Sequence, residues 1–317
     1  MQLIITGSLA YDHIMVFQDK FKKHILPDKI HMLNVAFNVE NLQKELGGTA
    51  GNIAYTLNLM AEKSCIVGTV GKDFTEYQKK LKKLDLSRDH IKILAEKFTA
   101  QCFITTDRDD NQITAFHGGA MFEAHQKKLD RGVVNKSDLV IISPNGIQAM
   151  IEHAEFCRNH NIKYIFDPGQ SIPAFSGDEL QKCIKGAEFL VVNDYEWQMV
   201  QDKTNIAREN VFDFTKHLII TLGEEGSLLC SKDNAFKIQA AKPKQILDPT
   251  GCGDAYRAGL LFALKRGEKI EKCGKVASVS ASFAIEQHGT QNHKFTLQDF
   301  SARYKETYGE ELNHYFS

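Results

Sequence analysis

One carboxylate stands where an anion should bind. In Leu247-Asp248-Pro249-Thr250-Gly251-Cys252-Gly253-Asp254, a proline and two glycines break regular structure ahead of Asp254. From Ala255 to Lys265 the residues are apolar nearly all round, including Ala258, Leu260, Leu261, Phe262, Ala263 and Leu264. That pattern predicts a buried helix, and small Ala258 and Gly259 permit close packing on a neighbour. Gly251, Cys252 and Gly253 therefore precede a helix whose first N–H groups have no partner within it. The positive end of the helix dipole lies there too, so phosphate is the expected guest. A carboxylate repels phosphate unless it has another task. Two readings are open: Asp254 stabilises the helix N-terminus, or it takes a proton from a hydroxyl that attacks phosphorus.

Other polar residues fall at ends of apolar runs. Leu3 to Thr6 predicts a buried strand, and Asp12 follows it after Gly7-Ser8, where parallel sheets hold ligands; a plain turn aspartate is the alternative. Gly47-Gly48-Thr49-Ala50-Gly51-Asn52 leads into a helix through Ile53, Leu57 and Met60. Its glycines allow close approach of a ligand or, equally, tight packing. Asn193 and Glu196 share a helix face if a helix starts there, and the same pair fits a capping box. Thr221-Leu222-Gly223-Glu224-Glu225-Gly226 reads as a loop or hairpin turn before a strand from Ser227 to Cys230.

The string around Asp254 resembles the C-terminal signature of the PfkB (ribokinase-like) carbohydrate and nucleoside kinases. Gly47-Gly48-x-x-x-Asn52, Asn193-x-x-Glu196 and Thr221-x-Gly223-x-x-Gly226 resemble that family's other motifs, in the same order. The resemblance spans about residues 3–290. It implies that Asp254 is the catalytic base and that Gly251, Cys252 and Gly253 form the anion hole, with Cys252 in place of the commoner alanine. It implies that Asp12, Gly47, Gly48 and Asn52 hold sugar hydroxyls. Asn193, Glu196, Thr221, Gly223, Gly226 and Gln287 would serve ATP, with Glu196 orienting the waters of Mg²⁺. Asp248 and Thr250 would hold a monovalent cation such as K⁺.

The opening Gly7-Ser8-Leu9-Ala10-Tyr11-Asp12-His13-Ile14-Met15 and the segment Gln112 to His117 look like bacterial and archaeal adenosine or nucleoside kinases. The resemblance thus implies transfer of the ATP γ-phosphoryl group to the 5′-hydroxyl of adenosine or another nucleoside. A ribokinase or other sugar kinase of the same family is the alternative. Phe103 and Phe116 are the candidates to cover the base, unless they form a core of their own. A binder without catalysis conflicts with the intact Asp254 string. A dinucleotide oxidoreductase conflicts with the absence of G-x-G-x-x-G after the first strand.

The elements that must position these residues follow from periodicity. Strands are expected at Cys65–Val70, Leu139–Ser143, Tyr164–Asp167, Phe189–Asn193 and Leu218–Thr221. Helices are expected at Phe74–Leu84, near 146–160, 178–185 and 194–201, and at Lys269–Gln287. This alternation predicts an α/β fold, a mainly parallel sheet flanked by helices. Residues 13–45, with Pro27 and Asp28, and a hairpin over 97–117 that turns at Asp107 to Asn111 predict a small β-rich lid. The large body then takes residues 1–12, 46–96 and 118–317. An exposed lid edge offers either a monomer or a lid-mediated homodimer.

Of the 317 residues, 43% are hydrophobic and 25% charged, with a net charge of −1. That balance is ordinary for a soluble globular protein and points to neither nucleic acid nor membrane; the resemblance implies a small-molecule substrate. The seven cysteines include no C-x-x-C pair, so reduced thiols in a cytoplasm are expected. The N-terminus lacks signal-peptide character.

Overall fold

Continuous apolar runs such as Leu3-Ile4-Ile5 and Leu139-Val140-Ile141-Ile142 are fully buried. Strands of this kind belong in a sheet covered on both faces. The computed structural model describes residues 1–25, 34–109 and 111–312. Its strands are β1 (Leu3–Thr6), β2 (Ala10–Phe17), β3 (Val39–Gly47), β4 (Ser64–Gly71), β5 (Ile91–Leu94), β6 (Ala100–Thr106) and β7 (Gln112–His117). There follow β8 (Leu139–Ile142), β9 (Lys163–Phe166), β10 (Phe189–Asn193), β11 (His217–Thr221), β12 (Ser227–Cys230) and β13 (Ala235–Ile238). The helices are α1 (Thr49–Leu59), α2 (Thr75–Lys83), α3 (Ile147–Asn159), α4 (Gly177–Ile184), α5 (Asp194–Thr204), α6 (Cys252–Lys265), α7 (Ile270–Ala284) and α8 (Leu297–Tyr308).

The large sheet has nine strands in the order β13-β12-β11-β10-β9-β8-β1-β4-β5. From β11 to β5 neighbouring strands run parallel, and β12 and β13 close one edge antiparallel. Side chains alternate between two cores, as the strand period of two requires. Leu3 and Ile5 enter a cluster with α1, α2, α6, α7 and α8, while Ile4 enters the cluster with α3, α4 and α5. The carboxyl ends of β1 and β8 to β11 thus open along one edge, where ligands of such sheets bind.

Helix α6 is buried from Ala255 to Ala263. A Cβ on Gly259 would lie 2.7 Å from the Cα of Ala277 on α7. The small residues read from the sequence are therefore what lets the two helices cross closely. A larger residue at 259 overpacks that crossing, which typically costs about 1–3 kcal/mol.

The second sheet has four strands in the order β3-β2-β6-β7. It joins the early non-helical segment to the 97–117 hairpin through parallel pairing of β2 with β6. It starts at Ala10, and its second segment, β3, ends at Gly47, so it takes residues 10–12 and 46–47 that were expected in the large body. Pro27 and Asp28 of the early segment, and Asp110 of the hairpin turn, lie outside the described residues.

Three elements escaped the sequence reading: β5, β13 and α8. The last carried a signal, since Thr296 accepts from Asp299 N and Asp299 returns the bond as a capping box. Among the described residues no helix is long and apolar enough to cross a membrane.

Candidate active site

Strand ends and the N-termini of α1 and α6 enclose one cleft of about 900 Å³. Asp254 sits in the first turn of α6, and its carboxylate opens onto this cleft with protein on its other sides. Asn52, in the first turn of α1, donates from Nδ2 to Asp254 Oδ2 at 2.7 Å. The amide of Asn52 is itself fixed: Gln291 Nε2 donates to Asn52 Oδ1 at 3.0 Å and lies 2.7 Å from the Tyr77 hydroxyl. That hydroxyl donates to the Gly47 carbonyl at 2.9 Å. Burial pushes the Asp254 carboxyl up to about 7, against the lowering effect of the Asn52 bond and of Arg257. A carboxylate tuned to neutrality suits a general base.

Gly251 caps α6 with φ 83°, a left-handed conformation that glycine adopts without penalty. Gly251 and Gly253 line the cleft, and the N–H groups here precede the first intrahelical bonds. Cys252, expected between them in the anion hole, departs from that reading. Its N–H donates to the Pro249 carbonyl at 3.2 Å, closing the turn, and the residue is not in the cleft wall. Burial pushes its thiol up to about 12.

Arg257, one turn beyond Asp254, was missed by the sequence reading. Its Nη2 donates to Asp167 Oδ1 at 2.6 Å, its Nε lies 2.6 Å from Oδ2, and its Nη1 donates to the Gly253 carbonyl at 3.1 Å. The pair thus ties the anion turn to the end of β9. A charged residue within an otherwise apolar helix was the available signal. The wall carries Asp12, Asp167, Asp194, Glu196 and Asp254 against Arg257 as its one Lys or Arg among the described residues. Burial also raises the Glu196 carboxyl, with Arg257 opposing.

Asp12 lies on β2, and burial, with Glu45 and Asp248 nearby, pushes its carboxyl up to about 6. A Cβ on Gly47 would collide with that carboxylate, so a side chain there would displace Asp12 from its place. Gly48, at φ 87°, brings its Cα within reach of Ser8 and Ala10, where a Cβ would fall 2.6 Å from the Ser8 carbonyl. Register puts Asp12 opposite Cys102 and Cys102 opposite Phe116, and all three line the cleft.

Phe103 departs from expectation. One residue along β6, it faces the other side and stacks on His13 with centroids 4.6 Å apart. Phe122, which the sequence reading did not single out, joins Phe116 in the wall, as do Met121 and Asn145.

Toward the other end, Asn193 and Glu196 line the cleft and also form the capping box of α5, with bonds of 2.7 and 2.8 Å. The pair therefore caps α5 and lines the cleft at once. Thr221 and Gly223 are in the wall; Gly226 is not. A Cβ on Gly226 would collide with the Ile238 carbonyl, so this glycine closes the β11–β12 turn onto β13. Gln287 is exposed and outside the wall, because α7 ends at Ala284 and the chain turns there. Thr250 lines the cleft, while Asp248 lies behind it and accepts from Thr250 N at 2.8 Å and Gly289 N at 3.0 Å.

Comparison with known proteins gives the family and the fold. The family described as pfkB family carbohydrate kinase matches residues 8–296. A nucleoside kinase of Methanocaldococcus jannaschii is 32% identical over 262 residues, 82% of this chain and 85% of that protein. The structure of a Burkholderia thailandensis nucleoside kinase in complex with inosine has a TM-score of 0.87 at 38% identity, covering 98% of this chain and 99% of that one. Its complex with ADP-inosine has a TM-score of 0.84 at 39% identity, covering 98% and 97%. The chain belongs to the pfkB family of carbohydrate kinases and has their ribokinase-like α/β fold.

Proposed function

We propose that this protein is an ATP-dependent nucleoside kinase, and that Asp254 is the base that prepares the 5′-hydroxyl of the nucleoside. The observation that carries the reading is the placement of Asp254. Burial pushes its carboxyl up to about 7, and it stands in the first turn of a helix whose Gly251 and Gly253 line the same cleft as Asp12 and Phe116. Relatives that are nucleoside kinases, one of them seen with inosine, support the choice of acceptor.

The chemistry follows from the wall. Asp12 accepts hydrogen bonds from sugar hydroxyls, while Phe116 and Phe122 offer ring faces to a base. Asp254 takes the proton of the primary hydroxyl, and the oxygen attacks the γ-phosphorus in line. The N–H groups of Gly251 and Gly253 receive the charge that develops on the transferred oxygens. Arg257, paired to Asp167, keeps that turn in place. Asn193, Thr221 and Gly223 would bind ATP. The small sheet would act as a lid that excludes water during transfer.

The wall's excess of carboxylates calls for added positive charge. Among the described residues no three His, Cys, Asp or Glu side chains cluster as a metal site. Asp194 and Glu196 nonetheless fit Mg²⁺, which commonly rests on one or two carboxylates plus substrate phosphates. When bound, it would neutralise phosphate charge. Each Asp248 oxygen accepts one N–H and keeps a lone pair, so K⁺ would fit between Asp248 and Thr250. On the lid's outer face Leu42, Phe103 and Ile113 are exposed, so a monomer and a dimer joined there are the forms to distinguish.

The test is a screen for phosphorylation of adenosine, inosine, ribose and fructose with ATP. Nucleosides are expected to lead. Faster turnover of ribose or fructose would establish the sugar-kinase reading instead, and ATP consumption independent of any acceptor would remove both.

A further inference from the structure

Asn145, just beyond the end of β8, has no part in the mechanism above. It is 3% exposed and lines the cleft. Its Oδ1 accepts from Gly146 N at 3.0 Å. A backbone N–H only donates, so the oxygen must face it and the amide nitrogen must be the other end. That Nδ2 has no hydrogen-bond partner among the described residues. A buried NH₂ group left without an acceptor is costly, and in a ligand cleft it marks where an acceptor is expected to dock.

The surroundings indicate which part of a nucleoside docks there. A Cβ on neighbouring Gly146 would lie 2.7 Å from the Met121 carbonyl and 3.2 Å from that of Phe122. Asn145 therefore belongs to the apolar end of the cleft, with Met121, Phe122 and Ile147. Sugar hydroxyls have Asp12 for their partner. The apolar end suits the flat base, and the Asn145 amide is a polar group there able to read its edge.

We propose that Asn145 is a specificity-determining residue that donates to the 6-oxo group of a purine, and so favours inosine or guanosine over adenosine. The inference rests on the nucleoside-kinase reading. Hypoxanthine and guanine present two adjacent acceptors, O6 and N7, to the two unpartnered N–H groups. Adenine presents N7 beside an amino group, and that amino group meets a second donor. A site built around one hydrogen-bonding sense discriminates strongly against the opposite sense.

The test measures kcat and KM for inosine, adenosine and ribose with ATP, using the full chain and the variants Asn145→Leu and Asn145→Asp. Wild type is expected to favour inosine over adenosine roughly tenfold or more in kcat/KM. Asn145→Leu should bring that ratio close to one, mostly by raising KM for inosine. Asn145→Asp keeps an oxygen for Gly146 N and turns an acceptor toward the base, so it should reverse the ratio. Melting curves establish that both variants fold, and the near-isosteric aspartate covers the case in which leucine does not. An inosine-to-adenosine ratio unchanged in the folded variant overturns the proposal. So does an equal loss on ribose, which would place the amide at the sugar. If wild type prefers ribose to both nucleosides, the nucleoside-kinase reading itself fails and this inference falls with it.

Discussion

The two ends of the acceptor site are built differently. Asp254 stands on α6, whose following residues are buried in the larger core, and its carboxylate is braced by Asn52, Gln291 and Tyr77. The small sheet is open: all six residues of β7 are exposed, and Phe116 is 52% exposed though it lines the cleft. A base must hold its position to a fraction of an ångström. A surface that covers a bound molecule has to move. The proposed base thus stands on the packed body and Phe116 on the exposed sheet, and each half can be broken separately.

The largest effect is expected at the rigid end. Asp254→Asn removes the proton acceptor and keeps a carbonyl for the Asn52 amide. We expect kcat to fall by about 10²- to 10⁴-fold with little change in binding of ATP or nucleoside, measured by steady-state kinetics and calorimetry. The same variant should melt higher at alkaline pH. The folded-state pKa of about 7 lies above the ordinary carboxylate value, so Asp254 contributes stability at low pH that is lost as pH rises through 7. The difference in melting temperature between variant and wild type should shrink from pH 8 to pH 4. Discounted for the open face of the carboxylate, it corresponds to roughly 2 kcal/mol at pH 8. A kcat near wild type would remove Asp254 from the role of base.

The Arg257–Asp167 pair comes next. Asp167→Asn leaves a buried guanidinium without its counter-charge, and breaking such a pair typically costs about 3–5 kcal/mol. Denaturant unfolding should show that loss. Replacing both partners by apolar residues of similar volume should recover much of it, while the anion turn loses its tie through Gly253 and kcat stays depressed. Full recovery of kcat in the double variant would show that the pair serves the fold alone.

Those two sites also show what a sequence can reveal. Asp254 was legible because its whole neighbourhood, Gly251 to Gly259, is contiguous and each residue type has a local reason. Arg257 and Asp167 are 90 residues apart, and Gln291 reaches Asn52 across 239; nothing local records such meetings. Strand positions such as β8 to β11 were legible from apolar runs. The small sheet was legible as strands but not as faces, because a shift of one residue reverses every side chain. That is why Phe103 and Phe116 looked equivalent in sequence. Cys252 and Gln287 failed for a related reason: a motif names a position, while the fold decides whether its N–H or side chain reaches the cleft.

Asp12 bridges the two halves, since it sits on the small sheet and lines the same cleft as Asp254. Asp12→Ala should raise KM for the nucleoside far more than for ATP, by about 1.5–3 kcal/mol in charge-assisted bonds. Burial and neighbouring carboxylates hold its carboxyl at about 6, above the ordinary value. The ionised form offers both oxygens and charge-assisted bonds to the hydroxyls, so kcat/KM for the nucleoside should fall as pH drops through 6. With Asp254 also protonating, near 7, the acid side of the profile should be steeper than one proton allows. Asp12→Asn should restore a one-proton slope; an unchanged slope would assign the second proton elsewhere.

The smallest effects should come from the two phenylalanines. Stacking of a base on an aromatic ring is worth about 1–3 kcal/mol. Phe116→Ala should therefore raise KM for the nucleoside roughly ten- to a hundredfold and reduce its advantage over ribose. Phe103 stacks on His13 on the opposite face, so Phe103→Ala should leave the nucleoside-to-ribose ratio within about twofold, because surface changes seldom exceed ~0.5 kcal/mol. The contrast depends on alternation alone: residues 103 and 116 lie on neighbouring strands, one position out of register. Phe116 pairs with Cys102, and Phe103 pairs with Ala115. If Phe103→Ala changed the ratio as much as Phe116→Ala, the outer face would have to reach the base, and the small sheet would need to turn over as it closes.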